Sequence, residues 1–211
     1  MIDSSGVLLF AGAAFVLAVT PGPAVLYVVA RSVSQGRAAG VVSCAGVALG
    51  GFVHVAAAAA GLSALLAASA LAFGIVKWAG AAYLIWLGLR KLLQHADRPA
   101  EPKVARHSLA RVLYEGTLVN TLNPKTALFF LAFLPQFVVP SRGDVALQAA
   151  LLGALFVAIA FCTDVSWALL ASGAGTWLKR HPRYVASERY VVGGVYVGLG
   201  LATALTGNRD R

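Results

Sequence analysis

Two short segments set proline among polar side chains inside otherwise apolar sequence. Thr20-Pro21-Gly22-Pro23 removes two backbone donors and places a glycine between them, so a regular helix cannot run through it. Asn120-Thr121-Leu122-Asn123-Pro124-Lys125 makes a second break with one proline, two amides and a lysine. A half-helix restarting after such a break presents free N–H groups and a partial positive charge, which suit a carboxylate. The carbonyls left at the preceding helix end suit an ammonium group. Together the two features fit a zwitterion.

Three further residues carry charge or protons within apolar runs. Asp164 lies in Phe161-Cys162-Thr163-Asp164-Val165-Ser166-Trp167, and Lys125 follows the second break. At a bilayer centre each costs about 2.5–3.5 kcal/mol on insertion scales, so neither is expected to face lipid. The segments holding them are joined by a short loop around 140–144, which allows an antiparallel pair and an Asp164–Lys125 contact. In that arrangement Asp164 either forms a static ion pair or trades Lys125 for a proton or a substrate ammonium group. His54 follows Gly50 by four residues and shares its helical face, as Asn120 and Asn123 share theirs at a spacing of three. His54 is expected as an interhelical hydrogen-bond donor, with a proton relay as the functional alternative.

No catalytic constellation accompanies these residues. Ser166 and Asp164 share one short segment without a paired histidine, and no His-x-x-x-His or paired-Asp arrangement occurs, so an intramembrane enzyme is not expected. Cys44 and Cys162 lack CxxC spacing and are expected as packing residues. No metal-binding residues and no cofactor are expected.

The surrounding sequence sets the solvent. Of 211 residues 59% are apolar and 12% charged, against about 25% charged in soluble domains, and the mean hydropathy is +0.79. Residues 4–30 form 27 consecutive positions without a formal charge, and 38–76 form 39. A helix of 27 residues reaches roughly 40 Å, beyond the about 30 Å of the hydrocarbon core. Only Asp3 precedes the first run, where a cleaved signal peptide would have a basic region; the run is expected to remain as a span. Six spans follow, at about 6–30, 39–66, 70–92, 112–138, 145–172 and 186–206. The fold class expected is therefore all-α integral membrane, one transport domain over 1–211. Its first repeat covers about 1–93, a loop about 94–111, and the second repeat about 112–207.

Alternate assignment of the 17 Lys and Arg residues places 12 on one side. These are Arg31 and Arg37 in the first loop, six between 90 and 111, and four between 179 and 189. The positive-inside rule makes that side cytoplasmic and turns both termini outward. The net charge of +9 is thus a matter of topology, and no nucleic-acid partner is expected. Lys77, Glu188 and Arg189 lie near span ends, where they serve as interface anchors.

Superposing Pro21 on Pro124 also matches Ala24 with Ala127 and Tyr27 with Phe130. Breaks in the first span of each three-span half suggest an internal repeat, and an odd number of spans per half inverts the second relative to the first. Such inverted repeats are a transporter architecture. Gly46-Val47-Ala48-Leu49-Gly50 and Gly194-Val195-Tyr196-Val197-Gly198 are both GxxxG, suited to close helix approach within the chain or in a dimer.

Four stretches resemble the LysE/RhtB family of amino-acid exporters. The first runs from Val19-Thr20-Pro21-Gly22-Pro23 through Ala30-Arg31-Ser32 to Gln35-Gly36-Arg37-Ala38-Ala39-Gly40. The second is Trp78-Ala79-Gly80-Ala81-Ala82-Tyr83-Leu84-Ile85-Trp86-Leu87-Gly88. The third joins Asn123-Pro124-Lys125 to Phe133-Leu134-Pro135-Gln136-Phe137, and the fourth spans 194–201. The resemblance implies a six-span exporter of the bacterial inner membrane, driven by the proton motive force, dimeric, and acting on amino acids or related metabolites. The chain departs from the family where many members carry an acid beside the span-2 glycine: here the sequence is Leu49-Gly50-Gly51-Phe52-Val53-His54. Asp164 is then the one acidic candidate well inside a span. A divalent metal-ion exporter of a related membrane fold is the alternative, though a cation site needs several oxygen ligands.

Overall fold

The protein is described by a computed structural model that covers residues 4–68 and 106–178, with six further helical positions between 75 and 93. The spans expected at 70–92 and 186–206 and the Gly194/Gly198 motif lie outside the described residues, apart from those six positions. All regular elements among the described residues are helical.

Helix α1 (Ser4–Val19) stops where the sequence places Pro21 and Pro23. Thr20 closes it, its backbone N–H and its hydroxyl both donating to the Val16 carbonyl at 3.3 and 2.8 Å. Helix α2 (Pro23–Gln35) starts on Pro23, whose missing N–H would have had no helical partner there. The two helices meet at an angle of 50°. Gly36, at φ +85°, ends α2 in a conformation that favours glycine, and α3 (Arg37–Ala68) begins one residue later. The first basic loop is therefore a single residue. Arg31, read from the sequence as a loop charge, lies within α2 and is only 4% exposed.

Helix α4 (Leu109–Thr121) ends at the second break, and α5 (Pro124–Leu128) restarts on Pro124. Beyond Leu128 the helix widens into a π turn, Phe129–Phe133, then tightens to a 3-10 turn, Leu134–Gln136. Pro135 accounts for the distortion, because it cannot donate to Leu131 and its ring would strike that carbonyl in a regular α-helix. The 112–138 span is thus a chain of short helical pieces. A second 3-10 turn, Pro140–Arg142, leads into α6 (Val145–Leu178). Gln148 fixes this loop, accepting from Val139 N–H at 3.0 Å and donating to the Val139 and Gly143 carbonyls at 3.1 and 3.2 Å.

The stretches Arg37–Leu62 and Val145–Ser172 are each long and apolar enough to cross a membrane alone, and Ser5–Val19 with Pro23–Gln35 qualifies as one bent span. Helix α3 packs along α4 and α6, while α2 sits against α3 and α6. At the α3–α4 contact the glycines of the first GxxxG are spent within the chain. A Cβ on Gly50 would stand 2.5 Å from the Thr117 carbonyl and 2.9 Å from the Asn120 Cβ, and one on Gly46 would collide with the Leu113 carbonyl. Near α1, α5 and α6 the core is aromatic: Phe129 stacks on Phe156 at 4.2 Å and Phe10 on Phe133 at 5.9 Å. Large apolar side chains cover the outside, among them Leu8, Phe15, Leu131, Leu151 and Leu170. Ile75, Trp78, Trp86, Leu89 and Leu93 add an exposed apolar stripe at helical spacing. Such a surface suits lipid.

Candidate functional site

The two breaks meet in space. The Lys125 ammonium, from the second, donates to the Thr20 carbonyl of the first at 2.5 Å. Gly22 leaves room for the lysine stem, since a Cβ there would lie 3.0 Å from Lys125 Cδ and 3.5 Å from Nζ. The neighbouring Val19 carbonyl accepts from the Trp167 indole of α6 at 3.3 Å. Two of the carbonyls at the negative end of α1 are thus taken by donors from α5 and α6. At the other side of the break Gly22 caps α2 in extended conformation without a side-chain hydrogen bond, so the first N–H groups of α2 have no side-chain cap.

Asp164 lies one turn before Trp167 on α6 and is 4% exposed. Among the described residues no donor bonds to its carboxylate, and Lys125 is the cation whose charge acts on it. The lysine is therefore placed between a backbone carbonyl it binds and a buried carboxylate it influences through space. The contact expected between Asp164 and Lys125 takes this longer-range form, while the ammonium hydrogen-bonds to the Thr20 carbonyl.

The second break is braced by its own side chains. Asn123 caps α5, its carbonyl oxygen accepting from Lys125 N–H at 3.0 Å. Asn120 donates to the Val47 carbonyl of α3 at 2.7 Å and accepts from Thr126 Oγ1 at 2.8 Å and from Asn123 Nδ2 at 3.3 Å. His54 donates through Nε2 to the Asn120 carbonyl at 3.0 Å and stacks on Phe130. That is the interhelical hydrogen bond, made to a carbonyl that the break exposes. Gly51, beside Gly50, faces Val157 of α6, and a Cβ there would stand 3.5 Å from Asn120 Nδ2. A longer side chain at 51 would enter the surroundings of the second break.

The helix starts qualify the internal resemblance. Both half-helices open on a proline, yet these are Pro23 and Pro124, two residues out of step with the match of Pro21 to Pro124. Helix α5 also runs only five residues before it widens, whereas α2 runs 13.

Sequence reasoning missed one cluster. Arg31 donates to Glu115 Oε2 at 2.5 Å and to Gln35 Oε1 at 2.7 Å, and meets His107 Nδ1 at 2.8 Å. Arg111 reaches Glu115 Oε1 at 2.9 Å, and the Arg31 guanidinium lies over the Tyr27 ring, whose hydroxyl donates to the Val112 carbonyl at 2.8 Å. The network ties the end of α2 to the start of α4. Its sequence signal was faint: Arg31 with Gln35, and Arg111 with Glu115, at spacings of four. Among the described residues no three His, Cys, Asp or Glu side chains gather as a metal site would require.

The chain's relatives fit this architecture. A protein of Vibrio cholerae described as an uncharacterized membrane protein is 32% identical over 191 residues, 90% of this chain and 92% of its own. A homoserine/homoserine lactone efflux protein of Salmonella typhimurium is 30% identical over 188 residues, 89% of this chain and 90% of its own. A leucine efflux protein of Klebsiella pneumoniae is 28% identical over 200 residues, 92% of this chain and 91% of its own. No solved structure matches the chain. The LysE type translocator family matches residues 15–207, nearly the whole sequence, and the chain belongs to that family.

Proposed function

We propose that this protein exports amino acids or closely related small metabolites across the bacterial inner membrane. The observation that carries the reading is the first break, where Lys125 binds the carbonyl end of α1 next to the uncapped start of α2 and the same lysine's charge acts on the buried Asp164, in a chain of the translocator family. The efflux relatives support the substrate class and direction. In this reading the substrate carboxylate is held at the start of α2 and its ammonium at the Thr20 carbonyl and Asp164. Thr20, Pro21, Gly22 and Pro23 form one wall, and Asn120, Asn123, Pro124 and Lys125 the other. Asp164 carries the exchangeable proton, with His54 as the second candidate for a relay, and the proton motive force drives antiport.

Six spans in two inverted repeats complete the architecture, with repeat one at about 1–93, a cytoplasmic loop at about 94–111 and repeat two at about 112–207. The basic stretch 90–115 faces the cytoplasm and both termini face outward. The family resemblance adds a homodimer.

Export of radiolabelled homoserine, leucine and lysine from loaded cells tests the reading, with Asp164→Asn as the comparison. The intact protein is expected to export at least one of them and Asp164→Asn to lose most of that flux. If no amino acid leaves faster than from cells lacking the protein, the reading is wrong. Pro21→Leu and Pro124→Leu should each abolish export while the protein still reaches the membrane; undiminished export would refute the shared site.

A further inference from the structure

We propose that the first break holds a subsite for a primary ammonium group, formed by the Thr20 carbonyl and the Asp164 carboxylate, and that the Lys125 side chain is its resident occupant, which an incoming ammonium displaces. The inference rests on the proposed export function and makes it more specific. Lys125 becomes the residue that selects for a free amino group.

Four observations converge on the subsite. The Lys125 ammonium is bound to the Thr20 carbonyl at 2.5 Å, at a helix end whose last carbonyls have no helical partners. Gly22 leaves the slot in which the lysine stem lies, with Cδ only 3.0 Å from where a Cβ would stand. Asp164 is buried, lies one turn from Trp167 on the face of α6 that meets the break, and feels the charge of Lys125. Trp167, one turn along α6, donates to the adjacent Val19 carbonyl and holds this face of α6 against the break. Thr20 and Asp164 thus present a neutral acceptor and a negative charge to one small cationic donor.

The chemistry fixes the ligand class. A primary ammonium carries three N–H donors on a compact charge, as lysine does. One donor can take the Thr20 carbonyl while the charge offsets Asp164. A quaternary ammonium has the charge without a donor, and a substrate whose amino group is acylated keeps one N–H but has no charge to set against Asp164. Both should fail to displace Lys125. Displacement also keeps the buried carboxylate supplied with a cation throughout the exchange, so it is never left as an uncompensated charge.

The first test uses purified Lys125→Ala protein in detergent and reads its thermal midpoint at constant ionic strength with ethylammonium, tetramethylammonium or sodium. Lys125→Ala should melt several degrees below the unaltered protein. Ethylammonium should recover at least half of the loss, tetramethylammonium and sodium should not, and the unaltered protein should respond little. Adding Asp164→Asn to Lys125→Ala should remove the recovery. Equal responses to ethylammonium and tetramethylammonium would overturn the subsite, as would recovery that survives Asp164→Asn.

The second test needs no variant. Acylation of Lys125 by a small membrane-permeant reagent, quantified by mass spectrometry in the unaltered protein as a ratio to the other four lysines so that reagent consumed by the amine cancels, should accelerate several-fold with ethylammonium and not with tetramethylammonium. An unchanged rate would overturn the displacement. Neither readout depends on transport. Ethylammonium recovery without export of any amino acid would leave the subsite standing and remove the export function, whereas export without recovery would remove only the subsite.

Discussion

The Arg31–Glu115 pair should behave as a coupled unit that joins α2 to α4. Arg31's side chain is 5% exposed and Glu115's 24%, so the pair lies between the buried and surface regimes. Removing one member of a buried pair costs about 3–5 kcal/mol, and an exposed pair is worth about 0–1 kcal/mol. Arg31→Leu leaves Glu115 with Arg111 at 2.9 Å, so its cost should be about 2–3 kcal/mol. Glu115→Leu strands a buried guanidinium without its carboxylate and should cost about 3–4 kcal/mol. The double variant removes both charges and should be no worse than the poorer single one. The coupling is then about 2 kcal/mol, well above the ~0.5 kcal/mol within which independent sites add. Thermal melts in one detergent provide the assay. At roughly 2–4 °C per kcal/mol for a chain of this size, Arg31→Leu should melt about 4–12 °C lower and Glu115→Leu about 6–16 °C lower. Additive losses, with the double variant falling by the sum of the singles, would refute the reasoning.

Gly50→Ala should destabilise by about 1–3 kcal/mol, because the new methyl meets the backbone of α4 and little can yield. Gly12→Ala, where nothing lies within 4 Å, should be neutral in the same melts; equal losses would contradict the α3–α4 contact. Asn120→Ala removes three side-chain hydrogen bonds at the second break and leaves Val47 without that donor. It should cost about 2–4 kcal/mol, and a melt within a degree of the unaltered protein would show that the break stands without it. Trp167→Phe keeps the ring and loses the donor to Val19, a loss of about 1 kcal/mol. Its export rate should fall by more than its stability does, as judged by flux per folded protein; unchanged flux would detach Trp167 from the site. Spin labels on the exposed Leu9 of α1 and Leu26 of α2 should give a distance distribution that shifts when amino acid is added, while labels on Leu118 and Leu131 should hold theirs; the reverse pattern would place the moving part at the second break.

The parts of this molecule legible in sequence are those where one residue type decides the backbone. Pro21 and Pro23 end α1, Pro124 ends α4, and long apolar runs mark the helices that contain Arg37–Leu62 and Val145–Ser172. Asp164 and Lys125 were legible for a similar reason, as charges in apolar surroundings. What stayed hidden depends on tertiary partners. Arg31 stands six residues before Arg37 in what reads as a basic loop, and only folding brings Glu115 and His107 against it. The target of Lys125 was hidden too, because a backbone carbonyl leaves no trace in residue type. The same holds for helix register: either proline of Thr20-Pro21-Gly22-Pro23 could open α2, and Pro23 does because Gly22 caps it in extended conformation.

The two breaks differ in who satisfies them. At the second, Asn123 takes the Lys125 N–H and His54 the Asn120 carbonyl, Asn120 reaches across to Val47 of α3, and the surrounding helices close tightly on Gly46 and Gly50. Parting that break means breaking several hydrogen bonds and a packed backbone contact at once. At the first, Gly22 contributes no side chain, and among the described residues the side-chain contacts on the Thr20 and Val19 carbonyls are single bonds from Lys125 and Trp167. A modest shift of α1 against α5 and α6 would release both without unwinding a helix. Under the proposed function, an ammonium-bearing solute arriving there would replace the Lys125 bond to Thr20 with an equivalent one. Under the same proposal, binding and opening are one event at the first break, and the more fully bonded second break is the wall against which α1 would move.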